Sequence, residues 1–227
     1  MKRRVPEERN STRELTALVQ QACMVAKDAA TNLLDYIENS SKMALLAVRD
    51  CEKELDRMER QVDQEITSAI TDVSEGEARQ LLACLKFIID LERIGDLTWS
   101  VAQRLQALTT RRAAEDNHDL IAMARMLQAV LDRVHQGFVK RDLASATWVL
   151  KQDPQMDQTY RALFNRHVQG HDRRRREYST NVLLMAQALE RAGDHAKNLG
   201  EELVHLVEGR SVRHERKKSQ NATHDQV

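Results

Sequence analysis

Apolar residues recur at three- and four-residue steps along nearly the whole chain, which is the period of helices with one buried face. The first stripe runs Leu15, Val19, Ala22, Ala26, Ala29, Leu33, Tyr36, and the second Leu45, Val48, Leu55, Val62, Ile66, Ala69. Ser74 and Glu77 have capping-box spacing, and the third stripe follows them through Leu81, Leu85, Ile88, Trp99, Ala102 and Leu105. Residues 109–117 are polar and read as a linker. The fourth stripe is Leu120, Ala124, Leu127, Leu131, Val134, Phe138. Asp142 is placed to cap a fifth helix carrying Leu143, Thr147, Leu150, Tyr160 and Phe164, and Pro154 inside it should kink it or start a new segment. The sixth runs Val182, Ala186, Leu189, Gly193, Ala196, Gly200, Leu203, Val207, with Gly209 suited to end it.

These six stripes form two sets of three. Residues 88–105, IIDLERIGDLTWSVAQRL, align with 186–203, AQALERAGDHAKNLGEEL. Leu91, Glu92, Arg93, Gly95 and Asp96 recur as Leu189, Glu190, Arg191, Gly193 and Asp194. An internal repeat at the same point of two three-helix units decides the architecture. The expectation is an all-α chain of two tandem three-helix bundles, residues 11–110 and 117–209, followed by a basic tail at 210–227.

Composition agrees and narrows the field. Only 7 Gly and 2 Pro in 227 residues are too few for the many tight turns of a β or βαβ protein. Charged residues make up 31% and aromatics 4%, the mixture of long amphipathic helices. The formal net charge is zero, so no global field selects nucleic acid or an anionic membrane. Cys23, Cys51 and Cys84 stand singly, without C-x-x-C spacing, and read as small buried hydrophobes in a reducing compartment. The basic start MKRR has no apolar core behind it, and no apolar run reaches membrane-spanning length. The chain is therefore expected to be soluble and cytoplasmic.

The chemistry is expected where carboxylates interrupt the buried seams. On the third helix Glu92 and Asp96 fall on inward positions; on the second, Glu52 and Asp56, with Glu59, fall on or beside the seam. The fifth helix carries Asp153 and Asp157, and the sixth a polar stripe of Glu190, Asp194, Asn198 and Glu201. Residues at such spacings share one helix face. Glu52/Asp56 can thus face Glu92/Asp96, and Asp153/Asp157 can face Glu190/Asp194. Converging carboxylates repel unless a cation lies between them, and an all-oxygen set suits hard cations such as Mg²⁺, Mn²⁺ or Ca²⁺, or carboxylate-bridged iron. The competing reading is a set of solvated faces in which Arg93 and Arg191 pair with nearby acids. It is the stronger one for any single Glu-x-x-x-Asp; duplication of the whole constellation shifts the weight to a site. Gly95 and Gly193, placed mid-helix where Gly costs about 1 kcal/mol against Ala, would let a neighbouring helix approach closely.

Other chemistries find less support. Glu202–His205 and Glu115–His118 have Glu-x-x-His spacing, but neither is placed like the pairs of a di-iron bundle. His195 reads as a surface residue or one supporting a ligand. No P-loop, nucleophile elbow or zincin motif is present. The Arg173–Arg176 run reads as a solvated bend or a patch for an acidic partner, and the tail beyond Arg210 lacks any apolar stripe.

The motifs LERIGD and LERAGDHAKNLGEE, in register on the third helix of each set, resemble the PhoU family, and the similarity covers most of residues 11–209. Acid-x-x-x-Asp pairs at Glu52/Asp56 and Asp153/Asp157 fit the same pattern. Asn198 and Glu201 complete it in the second repeat, whereas Ser100 and Gln103 stand there in the first, beside the bulky Trp99. The resemblance implies two similar three-helix bundles whose acids bind multinuclear metal clusters, of iron in some members; which ion this chain takes, iron or magnesium, manganese or zinc, stays open. It also implies a non-enzymatic, often dimeric negative regulator that couples a phosphate ABC transporter to a sensor histidine kinase at the cytoplasmic membrane face. A metal-buffering bundle without a signalling role and a salt-bridged scaffold remain as alternatives.

Overall fold

Short polar side chains fix where several helices begin. Ser41 accepts from the Ala44 N–H, Ser74 and Glu77 form a reciprocal capping box, and Asp142 accepts from the N–H groups of Ala144 and Ser145. In the computed structural model, residues 10–71, 73–108, 110–169 and 176–210 are described. They form α1 (Asn10–Asn39), α2 (Lys42–Ala69), α3 (Glu75–Ala107), α4 (Ala114–Lys140), α5 (Leu143–Leu150), α6 (Asp153–Gln169) and α7 (Arg176–Glu208). Helices α1 to α3 make the first bundle; α4, the α5–α6 pair and α7 make the second. This is the expected all-α, duplicated three-helix architecture. Gly209 ends α7 with φ +73° and donates its N–H to His205. Arg173 to Arg175 and residues 211–227, where the basic run and the tail were read, lie outside the described residues.

Pro154 starts a new segment, one of the two outcomes expected of it, and two other expectations are corrected. The fifth stripe is carried by two helices, α5 and α6, parted at Lys151–Gln152, with Pro154 in the first turn of α6 where its missing N–H costs little. The break resets the helical phase. Ser145, Ala146, Val149, Met156 and Leu163 face inward, while Thr147 is exposed and Phe164 is 41% exposed. The polar stretch at 109–117 is a linker only to Ala113. Asp116 lies buried in the first turn of α4, where it accepts from Tyr178 Oη at 2.7 Å and meets His167 Nε2 at 3.0 Å. These bonds satisfy a buried carboxylate and tie the starts of α4 and α7 to the end of α6.

The two bundles are not independent. Helix α3 packs more extensively on α7 than on its own neighbours, so it is buried on two sides. Besides the face toward α1 and α2, it buries Phe87, Ile94 and Val101, which the single third stripe does not contain. Leu85 and Trp99, expected inside, are only partly buried. Phe87 meets Phe138 of α4 with ring centroids 4.5 Å apart, joining both bundles into one core. Polar ties cross the same interface. Lys86 bonds both oxygens of the buried Glu202 at 3.1 and 3.0 Å, and His195 Nδ1 lies 2.8 Å from Asp90 Oδ1. Among the described residues no helix is long and apolar enough to cross a membrane.

Candidate metal centres

Along α2, residues 52, 56 and 59 lie on one side because they are four and three positions apart. That side meets Glu92 and Asp96 of α3. Among the described residues, Asp56, Glu59 and Glu92 are the one trio of metal-ligating side chains whose donor atoms all lie within 4.8 Å of one another. Gly95 makes this approach possible: a Cβ there would lie 2.7 Å from Leu55 Cδ1 and 3.7 Å from the Cα of Glu52.

The electrostatics follow from this crowding. Burial, with Asp96 next and then Glu59 and Asp56, pushes Glu92 up to about 7 against the relief given by Arg93. Burial raises Glu52 as well, with Asp96 and Asp56 adding to it. Glu59 is raised by burial and then by Asp63, Asp56 and Asp96, with Arg93 opposing. Glu92 is 9% exposed, and its Oε2 is buried without a hydrogen-bond partner among the described residues. Arg93 Nε lies 3.3 Å from that oxygen as an ion contact without hydrogen-bonding alignment, and its guanidinium also reaches Asp96 at 3.3 Å. Arg60 pairs with Asp56. Both arginines are more than half exposed, so they screen the cluster from outside rather than filling it. An orphaned buried carboxylate oxygen beside two further carboxylates is a donor set that fits a hard cation.

The second bundle repeats the acids but not their balance. Burial raises Glu190, followed by Asp194, Asp157 and Asp153, while Arg191 lowers it. Burial likewise raises Asp194, with Asp153 adding to it and Lys197 opposing. The four acids therefore share one region, as expected. Lys197 lies among them and donates to Asp153. Burial disfavours its ammonium, but Asp153, Asp194 and Glu201 outweigh that and hold its pKa above the ordinary value. Arg161 stands 3.8 Å from Asp157. Asn198 is not brought into the cluster: its amide turns to Asp90 of α3 at 3.4 Å, toward the inter-bundle interface. A cation here has less to compensate than in the first bundle.

Glu59 stood beside the seam in the sequence yet outside the paired acids, and the structure makes it a member of the tightest trio. Lys197 was missed. Its signal was present: Glu190, Asp194, Lys197 and Glu201 follow one another at four, three and four residues, the true stripe of that face, from which Asn198 is one position off.

A model of the PhoU domain matches this chain twice, over residues 19–105 and 120–203. The chain belongs to the PhoU domain family. Its relatives include a phosphate-specific transport system accessory protein PhoU homolog from Xylella fastidiosa, 28% identical over 92% of this chain and 90% of that one. The Pseudomonas aeruginosa homolog of the same name is 31% identical over 82% and 78%. The crystal structure of PhoU from Pseudomonas aeruginosa superposes with a TM-score of 0.78 at 22% identity, covering 88% of this chain and 98% of that one. That likeness establishes the duplicated bundle as the PhoU fold. The two matched segments carry both acidic clusters, so each PhoU repeat supplies one.

Proposed function

We propose that this PhoU-family chain is a metal-binding accessory regulator of phosphate uptake and phosphate-starvation signalling. In this reading it is a cytoplasmic homodimer that works at the membrane face with a phosphate ABC transporter and a sensor histidine kinase, without catalytic turnover. The phosphate role is supported by relatives named as phosphate-specific transport accessory proteins along most of their length. The metal role is carried by one observation, a Glu92 Oε2 that is buried without a hydrogen-bond partner among the described residues, within a trio of converging carboxylates. Asp56, Glu59 and Glu92 would hold the ion, with Asp96 and Glu52 beside them. The ion would supply the positive charge that this buried acidic face lacks, an Mg²⁺, Mn²⁺, iron or zinc ion being the expected occupant. At the second centre Glu190, Asp194, Asp153 and Asp157 would hold it, with Glu201 alongside.

The scaffold reading has its own support in the Arg60–Asp56 and Arg93–Asp96 pairs. One experiment separates the readings. A strain lacking the gene is complemented with wild type or with D56N/E92Q, and a phosphate-starvation reporter is read alongside metal content of the purified proteins. The proposal expects wild type to carry metal and hold the reporter down in high phosphate, and the folded variant to lose both. Metal in a wild type that fails to hold the reporter down would leave a buffering bundle; no metal in either protein would leave the scaffold; repression retained with metal lost would overturn the metal's part in regulation. Light scattering of the wild type tests the dimer.

A further inference from the structure

The two clusters differ at one aligned position. LERIGDLTW and LERAGDHAK are in register, so Trp99 of α3 corresponds to Lys197 of α7. In the first bundle that position holds an indole packed against the core, and the cluster keeps a buried carboxylate oxygen without a hydrogen-bond partner. In the second it holds an ammonium. Lys197 is 31% exposed and reaches across from α7 to Asp153 of α6, which is 17% exposed. Its residue lines a small cleft with Met126, Val130, Val149, Met156 and Gly193, an apolar bed for the methylene stem that leaves the charged head among the acids. Helix packing differs in the same sense. A Cβ at Gly193 would meet only the flexible Met156 side chain, at 3.3 Å, whereas one at Gly95 would strike Leu55 at 2.7 Å. The second pair of helices is therefore the looser one.

We propose that Lys197 is the built-in cation of the second cluster and sets the order of loading. A metal ion enters the first cluster directly and enters the second only by displacing the Lys197 ammonium from Asp153. The duplicated sites thereby become a high-affinity and a low-affinity site in one chain. Filling the second also releases the Lys197 tie between α6 and α7, so its occupancy alters a helix contact that filling the first leaves intact. This inference rests on the reading that the clusters hold cations, and it places the tighter site in the first repeat although Asn198 and Glu201 complete the motif in the second.

The test is Mn²⁺ binding to the metal-stripped full chain, followed by calorimetry and by the electron paramagnetic resonance signal of free Mn²⁺. Wild type should show two classes of site, and D56N/E92Q should lose the tight one. K197M should tighten the weak class by about tenfold or more, as removal of one cation from a partly buried acidic site implies, and leave the tight class unchanged. K197R, which keeps the charge, should leave the weak class weak. K197Q serves if K197M loses the wild-type circular dichroism spectrum. Unchanged weak binding in both folded neutral variants, or loss of the weak class in D56N/E92Q, overturns the role of Lys197 while the metal reading stands. Absence of Mn²⁺ binding in wild type and K197M alike removes the metal reading and this inference with it.

Discussion

Gly95 lies directly against Leu55: a Cβ on the glycine would sit 2.7 Å from the leucine Cδ1, and Leu55 is itself fully buried. Helices α2 and α3 close on each other at this point, next to Asp56 and one turn from Glu52 on one side, and one turn from Glu92 on the other. In G95A the helix gains about 1 kcal/mol of propensity, but the buried Leu55 has to move, and overpacking of this kind costs about 1–3 kcal/mol. G193A gains the same propensity against a movable methionine. G95A should therefore be less stable than G193A by about 1–2 kcal/mol in urea unfolding, and bind Mn²⁺ more weakly at the first cluster. Equal stability of the two variants would mean that the glycine is not what permits the approach.

Glu92 gives the metal-free protein a pH dependence of unusual sign. Its carboxyl is raised to about 7, against 4.5 for the ordinary group, so the folded state holds a proton that the unfolded state has released. Stability from this residue is present at pH 4.5 and below, and is lost as pH rises through 7. Over that window the loss is about 3 kcal/mol. E92Q cannot lose a proton. The variant should match wild type near pH 5 and exceed it at pH 8, both freed of metal by chelator. The opposing contributions of acids held below their ordinary range, such as Asp132 and Asp142, cancel in this difference. A wild-type minus E92Q stability difference that is flat from pH 5 to 8 would show that Glu92 is not held protonated.

The tie between the bundles can be tested through Lys86. Glu202 is 5% exposed at its side chain and is bonded at both oxygens by this lysine, with a further bond to His205 Nδ1 at 3.2 Å on one of them. K86M should destabilise by about 2–4 kcal/mol, because it leaves a buried carboxylate without its main partner. K86M/E202L should recover most of that loss, since a buried pair replaced by apolar groups is close to neutral. A double variant as unstable as the single one would assign the cost to packing, not charge.

How much of this could be read from the chain depends on where each signal lives. The stripes of α1, α2 and α4 could be read locally, and every residue named in them is buried in the structure. Helix α3 could not be read in full because its second buried face, with Phe87, Ile94 and Val101, exists only where α7 packs on it. The phase of α6 was lost at Pro154, since a stripe carried across a break points the wrong way: Phe164 is exposed and Leu163 is buried. The acids of each cluster were legible through the repeat. Their partners were not, because Asn198 and Lys197 differ by one position, and 100° of helix rotation sends one to Asp90 and the other to Asp153.

The sign of a stability change distinguishes ligands from structural ion pairs. At pH 8 without metal, the carboxylates of Asp56, Glu59, Glu92 and Asp96 repel one another, and the exposed Arg60 and Arg93 return little. D56N/E92Q should then melt at the wild-type temperature or above it in the presence of chelator. With Mn²⁺ at a hundred times the tight-site Kd, wild type should gain about 2.7 kcal/mol, the amount set by mass action on the native state. The variant should gain little, so the order of the two melting temperatures inverts. E190Q/D194N makes the control: it should keep the gain at low Mn²⁺, because the second cluster is filled by Lys197. If D56N/E92Q instead melts well below wild type in chelator, and Mn²⁺ moves neither, the acids are partners of Arg60 and Arg93, and the metal assignment fails.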